Sequence, residues 1–420
     1  WCSDSFTKER VRDQYANRFK IHFPGEERDA GRPLRKRPAF QFQKELGGVF
    51  GLNYGWEHPL YFDFDTPDTA GFTRQDWWKS VRREALLLRQ NVGIIDISNF
   101  GKYLCRGDGA YEFLDSIFAN KIPKNVGASC LSPIIGKMGG IAADATITKL
   151  SEDSFWIVSS GAAEGFQQRF YNLVKRDKGT EFISKSEDYC GFNVAGPKSR
   201  ELLQRLSNKD LSNEAWPFFK SGSLIIAGVE CLALRVSFTG DLGWELYCEK
   251  HNQLALYKLL IENASQIGGG PVGSRALMSL RLEKGYGSWG REYSPEYWPH
   301  EVGLERLIAN KPNFINKNEV ESVLALPARE KLVVLKLNEA DVMKSNADAL
   351  GGEPIFKDGN GIGRVTSGGY GYSVNMSLAL GFVKGIESGE EVDVMVLGKP
   401  HKATVLSEPP FDPESSILRS

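Results

Sequence analysis

Two acidic residues stand out because each lies in a segment that is otherwise apolar. Asp144 is in the run GGIAADATI, and Glu245 is in the run WELYCE. In an extended strand the side chains alternate between faces, so Asp144 shares a face with Thr146 and Glu245 shares one with Tyr247. A buried carboxylate is costly unless it has a partner or a function, and it can accept two parallel hydrogen bonds from neighbouring N–H donors. Two interpretations therefore stay open for each acid: a solvated or structural side chain, or a side chain that binds or reacts.

A glycine-rich turn with two aromatic residues follows a predicted amphipathic helix. The turn, GYGSWG (Gly285 to Gly290), matches G-x-G-x-x-G. It follows a helix rather than a strand, and no helix clearly comes after it, so a dinucleotide-binding site is not favoured. Tyr286 and Trp289 are three residues apart and can line one wall of a pocket.

Two arginines in the preceding helix could be mistaken for a ligand clamp. Arg275 and Arg281 are six residues apart, which places them about 120° apart around a helix axis. We therefore predict that one or both are structural and pair with acids such as Glu283 or with nearby carbonyls.

The composition argues against several classes of function. The formal net charge of the 420 residues is −1, and no apolar run approaches about 18 residues, so we expect neither nucleic-acid attraction nor a membrane-spanning helix. The six cysteines form no Cys-x-x-Cys pair and the five histidines lack metal-ligand spacing, so we predict free thiols and no metal site. Free thiols fit a bacterial cytoplasm or a mitochondrial matrix. The chain begins at Trp1 without a signal peptide, which predicts a processed product or part of a longer polypeptide.

The composition and periodicity of the sequence change twice along the chain, which predicts three parts. Residues 1–75 form an irregular connector that is basic around Pro24 to Phe40. Residues 76–311 mix helical and strand patterns, which indicates an α+β domain rather than a doubly wound sheet. Residues 330–420 contain short, regularly spaced strands with Gly, Asp and Asn turns, which is typical of a small β-barrel.

Several motifs occur in an order that resembles one family across roughly Thr73 to Ser420. They include GIIDISNFGKY, NVAGPKSRELLQRL, TGDLGWE, RLEKGYGSWG and GRVTSGGYGYS. Together they resemble the folate-binding aminomethyltransferase (T-protein) family, and within it the C-terminal halves of dimethylglycine and sarcosine dehydrogenases. The resemblance implies an α+β, T-protein-like multidomain folate-binding fold with a C-terminal barrel. It also implies that the connector joins this chain to a flavin domain or subunit.

The resemblance implies a role for each site residue. Asp144 would be the catalytic group beside N5 and N10 of tetrahydrofolate, and Glu245 would bind the N3–H and 2-amino donors of the pterin. The remaining predicted cofactor-binding residues are Tyr286, Phe238, Tyr247, Thr146, Leu131, Val158 and Trp289.

Three positions depart from the T-protein pattern. Phe238 stands where a tyrosine is usual before Thr-Gly, Leu131 stands where a tyrosine is expected before the Gly-Gly hairpin, and Leu277 aligns with an arginine. Stacking survives at the first position, but a hydroxyl is lost.

The main hypothesis is a one-carbon transfer module that binds tetrahydrofolate. It would form 5,10-methylenetetrahydrofolate from an N-methyl amine that a companion flavoprotein oxidises, so FAD would be held outside this chain. One alternative is a stand-alone folate-dependent methyltransferase or demethylase. Another is a catalytically inactive regulatory subunit of the same fold. Folate binding separates the regulatory alternative from the other two hypotheses, and a requirement for a flavoprotein separates the first two.

Overall fold

The computed structural model describes residues 3–174 and 179–420. The N-terminal segment is more regular than the sequence suggested, since it contains two helices and a hairpin. These elements are α1 (Asp4–Ala16), α2 (Phe40–Glu45), β1 (Gly48–Asn53) and β2 (Trp56–Phe62). The hairpin turn is Tyr54-Gly55, where both residues have positive φ, as two-residue hairpin loops require. Most of β2 is buried on both faces, so its sequence lacks the alternation of a half-buried strand.

The central part of the chain mixes helices with mostly antiparallel strands. Its elements are α3 (Trp77–Gln90), β3 (Gly93–Asp96), β4 (Gly101–Arg106), α4 (Ala110–Ile117), β5 (Ser129–Ile135), β6 (Ile141–Ser151), β7 (Ser154–Ser159), α5 (Glu164–Val174), β8 (Glu181–Ser184), β9 (Tyr189–Ala195), α6 (Ser199–Leu206), β10 (Ser221–Ile226), β11 (Val229–Leu234), β12 (Gly243–Glu249), α7 (Gln253–Ser265), β13 (Gly270–Val272) and α8 (Ser274–Glu283). The predicted hairpin that carries Asp144 is confirmed as β5 and β6.

Two sheets form the scaffold of this part. One has the strand order β5-β6-β7-β4-β8, and the other has the order β10-β11-β12-β9-β3-β13. In the second sheet only β3 and β13 pair in parallel. Helices α4 and α5 pack on one face of the first sheet, and α6 and α7 pack on one face of the second. This arrangement confirms the predicted α+β class.

The two remaining sheet faces contribute to a shared apolar cluster, which we call the central cluster. Side chains of α3, α8 and the N-terminal hairpin also belong to it, together with one residue of the barrel region. Its buried members are Leu60, Tyr61, Val81, Ala85, Leu88, Ile95, Ile97, Trp156, Val158, Ala195, Leu234, Tyr247, Val272, Ala276, Leu277, Leu280 and Tyr372.

The C-terminal part contains the predicted β-barrel. Its elements are α9 (Lys317–Leu324), β14 (Lys331–Leu337), α10 (Glu339–Ser345), β15 (Pro354–Lys357), β16 (Asn360–Gly371), β17 (Met376–Val383), β18 (Glu391–Val396), β19 (Lys399–Val405) and α11 (Ser416–Arg419). The six strands close in the order β14-β17-β16-β15-β18-β19. Tyr297 and Phe382 stack with ring centroids 3.6 Å apart, which joins the barrel to the segment after α8.

Candidate functional site

Three predicted pocket residues lie side by side on the first sheet. Leu131 is opposite Thr146 on the neighbouring strand, and Thr146 is opposite Val158 on the next one. Residues directly opposite share a face, so all three lie on the face that carries Val158 into the central cluster. Asp144 precedes Thr146 by two residues and therefore lies on the same face.

Asp144 is half-buried, and its Oδ1 atom is buried without a hydrogen-bond partner. Burial raises the pKa of this carboxyl to about 6. A carboxylate in this state is poorly compensated by the protein itself, which is typical of groups that act on a ligand or a proton.

The strand that carries Asp144 is held in place at two points. The indole Nε1 of Trp289 donates to the carbonyl of Ala142, at 2.9 Å. At the hairpin turn, a Cβ on Gly140 would lie 2.1 Å from the carbonyl oxygen of Pro295, so only glycine permits this close approach. Trp289 therefore lies beside the strand that carries Asp144.

Glu245 lies on the face of the second sheet that looks toward the central cluster. It is 8% exposed, and its Oε2 accepts a hydrogen bond from the Tyr247 hydroxyl at 2.7 Å. Burial raises the pKa of Glu245 to about 7, although the bond from Tyr247 opposes the shift. The Tyr247 ring lies 5.8 Å from that of Trp156 on β7, so the two sheets meet beside Glu245.

A groove opens between the two sheets at this meeting point. Its volume is about 1010 Å³, and Trp156, Tyr189 and Tyr247 are among the residues that line it. Of the nine predicted site residues, Tyr247 lines this groove, whereas Asp144 and Glu245 do not. The groove therefore borders the Tyr247 side of the predicted site and does not contain the two acids.

Phe238 and Tyr286 form a second aromatic wall. Their rings are nearly parallel, at 24°, with centroids 6.0 Å apart, and Phe238 also packs against the central cluster. Leu277, at the position of a T-protein arginine, is a buried member of that cluster.

The loop that carries Tyr286 and Trp289 is fixed by a buried ion pair. Arg281 donates to the carbonyl of Tyr286 at 2.9 Å and to Glu292 at 3.0 Å. Glu292 also accepts from the backbone of Ser288 and from the hydroxyls of two barrel residues, Thr366 and Ser367. The loop is therefore tied to the barrel.

Both arginines of α8 are structural, as predicted, but their partners differ from the suggested acid. Arg275 pairs with Asp68 at 2.6 Å, and Arg281 pairs with Glu292. Glu283 instead accepts from Arg89 of α3, at 2.9 Å. The sequence indicated that acids would be found but not which ones, because Asp68 and Arg89 lie far away along the chain.

Sequence reasoning missed two polar groups on the same walls. Asn193 on β9 lies directly opposite Glu245 and is 2% exposed. Lys102 on β4 lies directly opposite Val158 and is fully buried, with its amine donating to the carbonyls of Ser98 and Phe100. Burial lowers the pKa of Lys102 to about 7. A polar residue inside an apolar strand, as in YCGFNVA, is the signal that could have identified Asn193.

The described residues contain no cluster of three or more His, Cys, Asp or Glu side chains arranged to hold a metal ion. In the same residues, no helix has the length and apolar character needed to cross a membrane. Five cysteines in this part of the chain are free, and Cys2 lies outside it.

Two family models match most of the chain. The GCVT N-terminal domain matches residues 39–311, and the glycine cleavage T-protein C-terminal barrel domain matches residues 331–412. The chain belongs to the glycine cleavage T-protein family. Residues 1–36 also match the FAD dependent oxidoreductase central domain.

Relatives of this T-protein family member include two dehydrogenases. The chain is 33% identical to human mitochondrial dimethylglycine dehydrogenase over 418 residues, covering 97% of this chain and 48% of that protein. It is 26% identical to human mitochondrial sarcosine dehydrogenase over 467 residues, covering 98% of this chain and 50% of that protein. The chain thus spans about half the length of these relatives.

The fold is that of a solved T-protein. The crystal structure of the glycine cleavage system aminomethyltransferase T from Bartonella henselae matches with a TM-score of 0.78 at 23% identity, covering 90% of this chain and 99% of that one. The T-protein-like fold predicted from the motifs is confirmed. The chain is a folate-dependent, aminomethyltransferase-like module related to the dimethylglycine and sarcosine dehydrogenases.

Proposed function

We propose that this module binds tetrahydrofolate between its two sheets and forms 5,10-methylenetetrahydrofolate from an N-methyl amine oxidised by a companion flavoprotein. One observation carries the proposal: two acids with raised pKa values, the half-buried Asp144 and the buried Glu245, lie on the two sheet faces that border the central cluster. A structural core has no need of two under-compensated acids there.

The residues present fit a tetrahydropterin. Glu245 is aligned by the Tyr247 hydroxyl and has a second oxygen to offer, so its carboxylate can accept the adjacent N3–H and 2-amino donors. Phe238, Tyr286 and Trp156 provide the aromatic surfaces against which flat rings pack. Tetrahydrofolate, when bound, supplies the nucleophilic nitrogen that accepts the one-carbon unit.

Asp144 is the group of this chain best suited to move protons. Its Oδ1 has no protein partner, and a pKa of about 6 lets it hold or release a proton near neutral pH. We assign it the orientation of folate N10 and general acid–base catalysis, a role worth roughly 10²- to 10⁴-fold in rate. Trp289 keeps the strand of Asp144 fixed through the Ala142 carbonyl.

FAD belongs to a partner in this proposal. The GYGSWG turn follows α8 and is not preceded by a strand, so the site expected for a dinucleotide is missing from this turn. Around α1, four large apolar side chains are exposed by about half or more: Val11, Tyr15, Phe19 and Ile21. A cluster of this kind marks an interaction surface, and it coincides with the segment that matches the FAD dependent oxidoreductase central domain.

The dehydrogenase relatives suggest the amine substrate and the cellular compartment. We propose a dimethylglycine- or sarcosine-like substrate, and a bacterial cytoplasm or a mitochondrial matrix, because the curated relatives include mitochondrial dehydrogenases of those amines.

Calorimetry of tetrahydrofolate binding tests the proposal. The intact chain should bind, and Glu245→Ala should bind about 10- to 150-fold more weakly, because it removes a charged hydrogen-bond partner worth roughly 1.5–3 kcal/mol. Glu249→Ala is a matched control, since Glu249 lies four residues further along the chain at the exposed end of the same strand. Its affinity should equal that of the wild type.

The outcomes separate the hypotheses. An intact chain that does not bind tetrahydrofolate would contradict the proposal and favour the regulatory alternative. Binding accompanied by product formation without any flavoprotein would favour the stand-alone enzyme.

A further inference from the structure

A buried amide next to Glu245 has an acceptor that the protein leaves unused. Asn193 is 2% exposed, and its Oδ1 has no hydrogen-bond partner. Its Nδ2 donates to the carbonyl of Trp244 at 3.3 Å. Because that carbonyl can only accept, the amide orientation is determined and Oδ1 must point away from it. An unsatisfied buried acceptor is rare in native proteins and requires an explanation.

The register of the sheet places this acceptor on the folate wall. Asn193 is directly opposite Glu245 on one side and directly opposite Ile95 on the other, and Glu245 is opposite Leu234. Leu234 and Ile95 both belong to the central cluster, so the whole row faces it. The flanking residues Val194 and Trp244 point to the opposite core.

Asn193 and Glu245 are near enough to contact one flat ligand. Side chains directly opposite on antiparallel strands have Cβ atoms about 5 Å apart and share a face, so their acceptor oxygens can meet the same group above the sheet. An amino group carries two hydrogens that point in different directions, so it can donate to two acceptors at once. Glu245 uses one hydrogen of the pterin 2-amino group together with N3–H, and the second amino hydrogen remains free.

We propose that Asn193 accepts this second hydrogen and is a determinant of specificity for the 2-amino group of folate. The inference rests on the proposed function, since it assumes that a pterin occupies the wall beside Glu245. It assigns a ligand contact to a residue outside the TGDLGWE and RLEKGYGSWG motifs.

The test measures dissociation constants for two ligands by calorimetry. These are tetrahydrofolate and its 2-desamino-2-methyl analogue, and the quantity of interest is the ratio of the two constants in each protein. In the wild type, the analogue should bind more weakly than tetrahydrofolate. In Asn193→Leu, which has similar size but no acceptor, that ratio should fall by about 3- to 10-fold, the range for one neutral hydrogen bond.

Asn193→Gln is the control. It keeps an uncharged amide acceptor on the same sheet face and adds no charge beside Glu245, so its ratio should stay closer to that of the wild type than the ratio of the leucine variant. Asn193→Ser is too short to reach the ligand, so it should reproduce the fall if the leucine variant does not fold.

The results distinguish this inference from the proposed function. An unchanged ratio in Asn193→Leu and Asn193→Ser, with tetrahydrofolate binding still dependent on Glu245, would overturn the role of Asn193 alone. A wild-type chain that does not bind tetrahydrofolate would overturn both.

Discussion

The raised pKa of Glu245 makes folate binding dependent on pH. Burial raises this pKa from an ordinary value of 4.5 to about 7, so the free protein carries a carboxylate in only about half of its molecules at pH 7. The two pterin donors require the ionised form. The Tyr247 hydroxyl that faces Glu245 keeps its proton throughout, because burial and the neighbouring acid raise its pKa well above the ordinary value.

The magnitude follows from the ionised fraction. That fraction is about one-tenth at pH 6 and about nine-tenths at pH 8, so the affinity for tetrahydrofolate should rise about ninefold between them, or about 1.3 kcal/mol. Binding at pH 7 should release about half a proton for each folate bound. The raised folded-state pKa also makes the free energy of unfolding fall as pH rises from about 4.5 to about 7, because over that range the unfolded chain releases the Glu245 proton and the folded protein retains it.

Calorimetry at pH 6, 7 and 8 measures the affinity, and titrations at pH 7 in two buffers of different ionisation enthalpy measure the protons released. Glu245→Gln has nearly the same shape and cannot titrate, so it should bind more weakly and lose this pH dependence. Asp144→Asn should retain it, because Asp144 titrates lower, at about pH 6. Equal wild-type affinity at pH 6 and pH 8, or an unchanged slope in Glu245→Gln, would refute the reasoning.

Three further predictions concern Asp144 and the contacts that support the site. Asp144→Asn should lower kcat by about 10²- to 10⁴-fold in the assay with a flavoprotein partner while leaving the folate Kd within a few-fold; comparable loss of binding would make its role positional. Trp289→Phe leaves the Ala142 carbonyl without its donor and should lower the free energy of unfolding by about 0.5–1.5 kcal/mol, measured by urea titration; an unchanged midpoint would mean that the bond is unimportant. Glu84→Gln should cost about 1–3 kcal/mol in the same assay, because Glu84 accepts from two backbone N–H groups, in β2 and at the start of α8, and the single amide oxygen of glutamine replaces only one of the two acceptors; a loss no larger than that of Glu249→Gln would contradict this.

The elements predicted from the sequence were those whose signal is local. The hairpin around Asp144, the helix before the GYGSWG turn and the barrel strands each follow from a periodic pattern and nearby glycines. The N-terminal hairpin was missed because most of β2 is buried on both faces, which removes the alternation. The described residues show two helices and a hairpin between residues 4 and 62, where composition had suggested an irregular segment.

The features that escaped prediction depend on residues distant in sequence. Asn193 is next to Glu245 only because β9 pairs with β12, about fifty residues further along the chain. The partner of Arg281 is Glu292, which is held by barrel hydroxyls in a separate part of the chain. Such register and pairing are decided when the sheets and the barrel assemble, and no single segment of the sequence carries them.

The hydrogen bonds that Thr366 and Ser367 donate to Glu292 affect whether the barrel can be removed or exchanged without disturbing the rest of the chain. A fragment that stops before the barrel would leave a fully buried carboxylate with part of its hydrogen bonds missing, directly behind the loop that carries Tyr286. The barrel therefore completes the hydrogen bonds of Glu292 and is not an independently exchangeable module. A chimera that takes its barrel from a relative should keep folate affinity only if the donor supplies two hydroxyls at these positions.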